Sequence, residues 1–233
     1  NPAWRLVWAL STLKNEKDEI LIEGFYDTVK PTTEEEMKFL ENMQYDEEKM
    51  LKSRGLKGFI NDLSGLKLKE KFLYEPTCNI CGIESGYIGE GSKTVLPSFA
   101  KAKIDFRLVY NQKPEEIIEI LRKHLDKHGF EDIEIIYISG KNPYRTDPNS
   151  LLAKTVIQNV ERVYNSPPVV YRNLAGTTGM YDICEKTNIP AVLFGVGDDN
   201  SQIHAPNENV NIRDYIDGIK LTATVIHEFA KIK

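Results

Sequence analysis

Residues 100–109, AKAKIDFRLV, alternate apolar and charged side chains along nearly their whole length. The apolar positions are Ala102, Ile104, Phe106 and Leu108, and the charged positions between them are Lys101, Lys103, Asp105 and Arg107. Because successive side chains of a β-strand point to opposite faces, this period of two predicts a strand with one buried face. Arg107 is expected on the polar face.

The segments on both sides of this strand predict further helices and strands. Apolar spacings of three and four residues, together with capping signals at Asn1-Pro2 and Thr32-Thr33, predict helices at about 1–13, 33–43, 46–53 and 113–129. Strands are predicted at 19–25, within 77–97 and at 132–138. The first part of the chain therefore predicts an α+β fold, in which helices cover one face of an antiparallel sheet.

Residues 140–149, rich in Pro, Gly and Asn, predict a linker to a second part of the chain. Helices are expected there at 150–164, 179–186 and 210–232, with short strands at 169–171 and 189–197. This alternation is typical of an α/β sheet, but two or three strands are too few for a sheet of ordinary size. Since the chain also opens on a helix cap without an initiator methionine, we expect it to be the C-terminal portion of a longer protein.

The composition excludes several classes of protein. The 233 residues are 41% hydrophobic and 28% charged, with a formal net charge of -5, which is ordinary for a globular protein. There is no basic stripe with interleaved aromatic residues that would favour nucleic acid, and no apolar run approaches the roughly 20 residues that span a bilayer. Three cysteines do not form a disulfide framework. These features predict a cytoplasmic protein that binds neither nucleic acid nor membrane.

A polar loop near the C-terminus, DNSQIHAPNE at 199–208, follows the apolar run IPAVLFGVG at 189–197. The run predicts a buried strand that ends in glycines, and α/β proteins usually bind ligands just beyond the C-terminal ends of their strands. His204 is therefore a candidate ligand-binding residue. An ordinary surface histidine explains the loop at least as well.

Two pairs of potential metal ligands favour structural interpretations. Cys78 and Cys81 form a C-x-x-C, but a second pair of ligands is missing, and no helix begins at the first cysteine to activate its thiol. His124 and His128 lie one helical turn apart, a spacing that can chelate a metal. They also lie beside lysines in the last turn of a helix, where cations complement the helix dipole, so a surface role is expected.

Arg107 and the loop GTTG at 176–179 are weak signals when each is taken alone. A solvent-facing arginine on the polar side of a strand is common. A small loop before a helix offers backbone N–H groups to an anion. The glycines within 86–91 and 195–197 are interpreted as turn residues, because neither group forms a G-x-G-x-x-G between a strand and a helix.

Four stretches together resemble the dinuclear-zinc metallopeptidase family that includes carnosine-type dipeptidases, glutamate carboxypeptidases, aminoacylases and succinyl-diaminopimelate desuccinylase. They are NPAWRLVWAL at 1–10, IEGFYDTVKP at 22–31, GEGSKTVLPSFAKAKIDFRLVYNQ at 89–112 and DDNSQIHAPNENV at 198–210. GFYD, and EGSKTVLP with FRLV, are similar to the dipeptidase branch. The resemblance implies an α+β lid (dimerisation) domain at 1–143, followed at 144–233 by an incomplete α/β portion, the C-terminal part of the catalytic domain.

The resemblance also implies roles for particular residues. His204 matches the zinc ligand of the family's C-terminal histidine loop, and Arg107 matches the arginine that holds the C-terminal carboxylate of the substrate. Thr94 matches a lid threonine that lies near the substrate. Gly176 and Thr177 fall near the family's glycine-rich loop for the substrate carboxylate, at a point where the motif departs. A planar guanidinium opposite a carboxylate forms two parallel charge-assisted hydrogen bonds, which fix its orientation.

The family's other metal ligands, its general-base glutamate and a lid histidine donated to the neighbouring subunit all precede the residue that matches Asn1. One imidazole cannot hold two zinc ions, so we expect no catalytic residue in this portion, which alone should be inactive. The resemblance implies that the whole protein is a zinc-dependent dipeptidase or carboxypeptidase-like amidohydrolase with two zinc ions per active site. It implies a peptide or acyl-amino-acid substrate and a homodimer formed through the lid. A deacylase or desuccinylase of the same mechanism and a non-catalytic dimerisation module are the alternatives.

Overall fold

The computed structural model describes residues 1–198 and 200–232, and its helices follow the signals in the sequence. The α-helices of this part are α1 (Pro2–Ser11), α2 (Glu34–Asn42), α3 (Glu47–Arg54), α4 (Gly65–Tyr74), α5 (Pro114–Lys127), α6 (Leu151–Tyr164), α7 (Met180–Thr187) and α8 (Ile212–Phe229). The strands are β1 (Thr77–Ser85) and β2 (Ala100–Arg107). The predicted helices are therefore confirmed, with ends that differ by at most three residues. The Gly- and Lys-rich region 56–71 contributes most of α4.

The ends of these helices are fixed by short-range hydrogen bonds that the sequence encodes. The side chain of Asn1 accepts a hydrogen bond from the N–H of Ala3 at 3.0 Å, and Pro2 occupies the first helical position of α1. Ser150 caps α6 in the same way. Beyond α5 the chain turns at Gly129 with φ of 74°, in the left-handed region that favours glycine.

The strands β1 and β2 form a two-stranded antiparallel sheet. Cys78 pairs with Phe106 and Ile80 with Ile104, and the register then shifts at a bulge between Ile80 and Gly82. The predicted alternation of residues 100–109 is confirmed, since Ile104, Phe106 and Leu108 pack against the core. Cys78 is buried and Cys81 is exposed.

The strands predicted at 19–25 and 132–138 are wrong. Ile20 and Ile22 are buried, as the alternation requires, but the backbone there forms turns, with Phe25 N–H donating to the carbonyl of Ile22 and Gly24 at φ of 81°. Only an isolated bridge between Lys14 and Ile20 has strand-like pairing. Residues 132–138 likewise carry no strand hydrogen bonds. Alternating hydrophobicity reports which side chains are buried, and here burial occurs without a sheet partner.

The chain divides into two compact units. Unit 1 comprises Asn1–Leu40, Tyr45–Pro143 and Ala175–Thr178, and unit 2 comprises Glu41–Gln44, Tyr144–Leu174 and Gly179–Lys233 apart from residues 199 and 233. That these units are a lid and part of a catalytic domain stays a prediction.

Each unit has its own buried cluster. The cluster of unit 1 is formed by Ala9, Leu13, Ile20, Ile22, Phe25, Cys78, Ile117, Leu121, Leu125 and Phe130. The cluster of unit 2 lies where α6 packs on α8, and its buried members are Val156, Leu221 and Val225. The strands predicted at 169–171 and 189–197 are wrong, because these segments have no hydrogen-bonded strand partner within the described residues. No helix in the described part of the chain is both long and apolar enough for a membrane crossing.

Candidate functional site

Arg107, the last residue of β2, is held by two polar side chains. Its Nε forms an ion pair with Oδ2 of Asp105 at 2.7 Å, and its Nη1 donates a hydrogen bond to Oγ1 of Thr177 at 2.8 Å. All three residues belong to unit 1, although Thr177 lies 70 positions further along the chain. The Arg107 side chain is 56% exposed, so its guanidinium is both anchored and accessible to an anion.

The strand pairing explains why these groups share a surface. In the antiparallel register, Thr77 of β1 lies opposite Arg107 and Asn79 lies opposite Asp105. Residues two apart on a strand share a face, so the four polar side chains occupy the face opposite Phe106 and the core. The burial of Phe106 thus directs Arg107 outward.

Thr94 and Gly176, the other predicted substrate-binding residues, are exposed. Thr94 lies in the irregular segment between β1 and β2, and Gly176 directly precedes Thr177. The structure therefore joins two of the four predicted residues, Arg107 and Thr177, by a hydrogen bond. Within the described residues, neither Thr94 nor Gly176 forms a hydrogen bond with Arg107.

His204 lies in unit 2, in a loop whose base is fixed by Ser201. Ser201 is buried; its Oγ accepts from the N–H of Asp198 at 2.9 Å, and its carbonyl accepts from the N–H of Asn209 at 2.9 Å. His204 has φ of 64° and an exposed side chain. Its imidazole is thus not enclosed by apolar neighbours, and within the described residues neither ring nitrogen forms a hydrogen bond. Asp199, at the start of the predicted loop, lies outside the described residues.

The described residues do not make a complete metal site. They contain no group of three or more His, Cys, Asp and Glu side chains placed to hold a metal ion. A zinc site needs at least three protein ligands, and His204 supplies one imidazole. The predicted pair of zinc ions therefore does not fit the donors of this part of the chain, and no chemical step is assigned to a metal here.

The C-x-x-C pair has the character of structural cysteines. Cys78 and Cys81 are both free thiols, one buried and one exposed. Burial raises the pKa of the Cys78 thiol to about 11, which keeps it protonated and unreactive at neutral pH. The backbone carbonyl oxygen of Cys78 accepts a hydrogen bond from Lys14 Nζ at 3.0 Å.

The surface role predicted for His124 and His128 is wrong for His124. His128 is exposed, but His124 is only 4% exposed, and its Nε2 lies 3.1 Å from both the carbonyl oxygen and Oγ1 of Thr12. Burial, followed by the nearby positive charge of His128, lowers the pKa of His124 below its usual value. The histidine faces the C-terminal end of α1, a contact that helix periodicity alone did not reveal.

Comparison with known proteins identifies the family. Residues 32–228 match the model of peptidase family M20/M25/M40, which is well over half of the chain. The chain belongs to this family.

The chain is similar in sequence to two dipeptidases and in fold to a solved structure of the M20 family. It is 28% identical over 241 residues to the Beta-Ala-His dipeptidase of Rattus norvegicus, and 27% identical over 238 residues to the Cys-Gly metallodipeptidase dug1 of Schizosaccharomyces pombe. The crystal structure of the M20 family metallo-carboxypeptidase Sso-CP2 from Sulfolobus solfataricus superposes with a TM-score of 0.87 at 40% identity. That superposition covers 97% of this chain and 52% of the carboxypeptidase chain.

The chain spans about half the length of these M20 relatives. The matches cover 99% of this chain but 48% of the rat dipeptidase and 49% of the yeast one. The M20 resemblance noted from sequence motifs is therefore confirmed over the whole of the chain, and half of each relative has no counterpart in it.

Sequence reasoning overlooked Asp105 as a member of the candidate M20 site. The signal was present, because the same period of two that places Arg107 on the polar face places Asp105 there as well. The contact with Thr177 had no local signal, since it joins residues 70 positions apart.

Proposed function

We propose that the full-length protein is a metal-dependent hydrolase that cleaves a peptide bond next to a free carboxylate, and that Arg107 binds this carboxylate. The observation that carries the proposal is the exposed Arg107 guanidinium, anchored at Nε and hydrogen-bonded to Thr177 Oγ1 at 2.8 Å. The M20 relatives that are named dipeptidases and a carboxypeptidase support this substrate class.

The chemistry of the pair suits a carboxylate. A guanidinium has five N–H donors, and Arg107 uses two nitrogens for protein contacts, so three protons remain on Nη1 and Nη2. The hydroxyl of Thr177 accepts from Arg107 and can donate its own proton to the same anion. A carboxylate held by several charge-assisted hydrogen bonds has a defined orientation, which positions the adjacent amide for attack.

We further propose that His204 supplies one ligand of a zinc site in the full-length protein. The remaining ligands and the general base would then come from residues outside this chain. A zinc pair, when bound, supplies an activated water and polarises the scissile carbonyl. In support, the His204 imidazole is exposed at the tip of a loop whose base is fixed by Ser201. On this proposal the chain alone is inactive, with or without added zinc.

Replacement of Arg107 by Ala in the full-length, metal-loaded protein tests the carboxylate site. Because charge-assisted hydrogen bonds contribute about 1.5–3 kcal/mol, KM for a dipeptide should rise about tenfold to a hundredfold, with a smaller change in kcat. The matched control is Lys103→Ala, an exposed cation on the same strand. An unchanged KM in Arg107→Ala would remove the proposed role.

The substrate class within this proposal is tested by a panel. Dipeptides, N-acyl amino acids and N-succinyl compounds with the same C-terminal residue separate a dipeptidase from a deacylase or a desuccinylase. Faster turnover of the dipeptides supports the proposal, and faster turnover of either acyl series replaces it with the corresponding alternative.

A second function, self-association through unit 1, is favoured by the outer face of α1. Trp4 and Trp8 stack with ring centroids 5.9 Å apart, and their side chains are 58% and 56% exposed. Exposed aromatic pairs are typical of protein interfaces. We propose that this face pairs with a second copy of the chain. The mass in solution should be that of a dimer without added metal, and Trp4→Lys with Trp8→Lys should give a monomer; a monomeric parent would exclude the proposal.

A further inference from the structure

The environment of Asp105 bears on how the carboxylate site works. Its Oδ2 forms an ion pair with Arg107 Nε at 2.7 Å, and its side chain is 41% exposed. Exposed ion pairs of this kind add little to the stability of a fold. The pair therefore calls for an explanation other than stability.

We propose that Asp105 is a positioning residue, which holds the Arg107 guanidinium so that its Nη1 and Nη2 groups face the substrate carboxylate. This inference rests on the proposed function of Arg107. Asp105 itself touches Arg107 and not the substrate, so its effect passes through the orientation of the guanidinium.

The geometry determines which part of Arg107 remains for a ligand. A guanidinium can bind a carboxylate side-on, through Nε and one terminal nitrogen, or end-on, through both terminal nitrogens. Asp105 occupies Nε, and thereby blocks the side-on mode. Thr177 occupies one proton of Nη1, which leaves one proton on Nη1 and two on Nη2. Among the described residues Nη2 forms no hydrogen bond, so on this proposal the substrate is bound end-on.

The strand makes this arrangement rigid. Asp105 and Arg107 are separated by one residue of β2, and Phe106 between them packs into the core of unit 1 against Phe25. Asp105 is paired across the sheet with Asn79, and Arg107 with Thr77. The Cα positions of donor and acceptor are thus fixed by the sheet. An arginine without this partner would sample several rotamers, and binding would have to restrict them.

A charge-neutralising role of Asp105 and a positioning role predict changes in KM of opposite sign. Its carboxylate is negative, as is that of the substrate, and if it acted only by neutralising Arg107, its removal would tighten binding. A positioning role predicts that removal weakens binding. The sign of the change in KM therefore discriminates between the two roles.

The test is steady-state kinetics on the full-length, metal-loaded protein with Asp105→Asn, using a dipeptide and the same dipeptide with its C-terminal carboxylate converted to an amide. Asp105→Asn keeps an acceptor but loses the negative charge, so the contact that orients Arg107 is weakened, and KM for the free dipeptide is expected to rise about three- to tenfold, with kcat within about twofold. The amidated dipeptide lacks the group that Arg107 binds, so its KM should not change.

The matched control is Glu84→Gln. Glu84 forms a 2.7 Å ion pair with Lys101 across the same sheet, and its side chain is 47% exposed. Its kinetics should equal those of the parent. Asp105→Ser, which has a short side chain that does not reach Nε, should reproduce the effect of Asp105→Asn.

The double variant Arg107→Ala with Asp105→Asn separates the two proposals. If Arg107→Ala raises KM and Asp105→Asn adds nothing in that background, Asp105 acts through Arg107. If Arg107→Ala raises KM while Asp105→Asn lowers it or leaves it unchanged, the positioning role is overturned and the carboxylate site stands. An unchanged KM in Arg107→Ala overturns both. If Glu84→Gln raises KM for the free dipeptide as much as Asp105→Asn does, the positioning role is also overturned.

Discussion

Unit 1 and unit 2 both contain amphipathic helices, but they bury their apolar residues to different extents. In unit 1, α1, α5 and the sheet enclose a cluster of ten buried residues. In unit 2 the cluster between α6 and α8 has three. The exposed large apolar residues of α8 are Ile212, Tyr215, Ile216, Ile219, Ile226 and Phe229.

Unit 2 therefore carries apolar surface on α8 that its own described contacts do not bury. Isolated exposed apolar residues are ordinary, whereas several on one helix mark an interaction surface. The M20 relatives are about twice as long as this chain. Unit 1 is thus stabilised by a larger buried cluster of its own than the one described in unit 2.

The largest effect on stability is expected from Phe25→Ala in unit 1. Phe25 is 1% exposed, and its ring lies 5.5 Å from that of Tyr26 and 5.7 Å from that of Phe106, centroid to centroid. Removing a buried aromatic ring costs about 3–5 kcal/mol. Hydrogen exchange should show lost protection in α1 and α5 and unchanged protection in α6 and α8.

The control for this substitution is Leu96→Ala. Leu96 is strongly exposed in the segment between the strands, so its truncation should change the free energy of unfolding by less than about 0.5 kcal/mol. Equal loss of protection in both units after Phe25→Ala would mean that the units unfold together, and the distinction between them would fail.

A smaller effect is expected from Leu221→Ala in unit 2. Leu221 is 1% exposed and packs with Val156 and Val225, but partly exposed residues surround this cluster and can relax into the space that is left. We therefore expect a loss of about 2–3 kcal/mol, near the lower end for buried leucines. Thermal denaturation with hydrogen exchange in α6 and α8 measures it.

Ile219→Ala is the matched control on the same helix. Ile219 lies two residues before Leu221 and is exposed, so its truncation should be nearly neutral in this chain. A loss at Ile219 as large as that at Leu221 would show that the outer face of α8 is already packed in the isolated chain, contrary to the comparison.

The helices could be predicted from the sequence because their signals are local. The Asn1 cap, the apolar spacing of α5 and the glycine after it each act within a few residues, and the structure has them all. Strands are different, since their hydrogen bonds come from distant residues. The alternation at 100–109 predicted β2 correctly, but a similar pattern at 19–25 folds into turns that bury Ile20 and Ile22.

The candidate site was predictable in part for the same reason. Strand alternation places Arg107 on the outer face of β2, and family motifs draw attention to it. Its hydrogen bond to Thr177 depends on how the chain returns to unit 1 after 70 residues, which no local pattern encodes. The surface role predicted for His124 was wrong, because the helical spacing that places it on α5 carries no information about its contact with the carbonyl oxygen of Thr12.

The smallest effect concerns pH, and it separates the two units again. Unit 1 buries His124, whereas the buried polar residues described in unit 2 are Thr155, Asn159 and Ser201, none of which ionises between pH 5 and 8. Burial and the charge of His128 lower the pKa of His124. Because the Thr12 carbonyl can only accept, Nε2 carries a proton and donates to it, so protonation at Nδ1 adds a charge inside the unit.

The sign of the pH effect follows from which state binds more protons. Below the ordinary histidine pKa of about 6.5, the unfolded chain binds a proton at residue 124 more readily than the folded one, so unit 1 should lose stability as pH falls from neutral towards the lowered pKa.

His124→Gln, which keeps an amide donor facing Thr12, should flatten this slope in denaturation midpoints between pH 7 and pH 5. His128→Gln should reduce it only in part, because burial is the larger cause and remains. His227→Gln, on an exposed residue of α8, should leave it as it was. If the denaturation midpoint of His124→Gln still depends on pH as strongly as that of the parent, other groups cause the pH dependence. The burial of an ionisable residue in unit 1 would then not explain it.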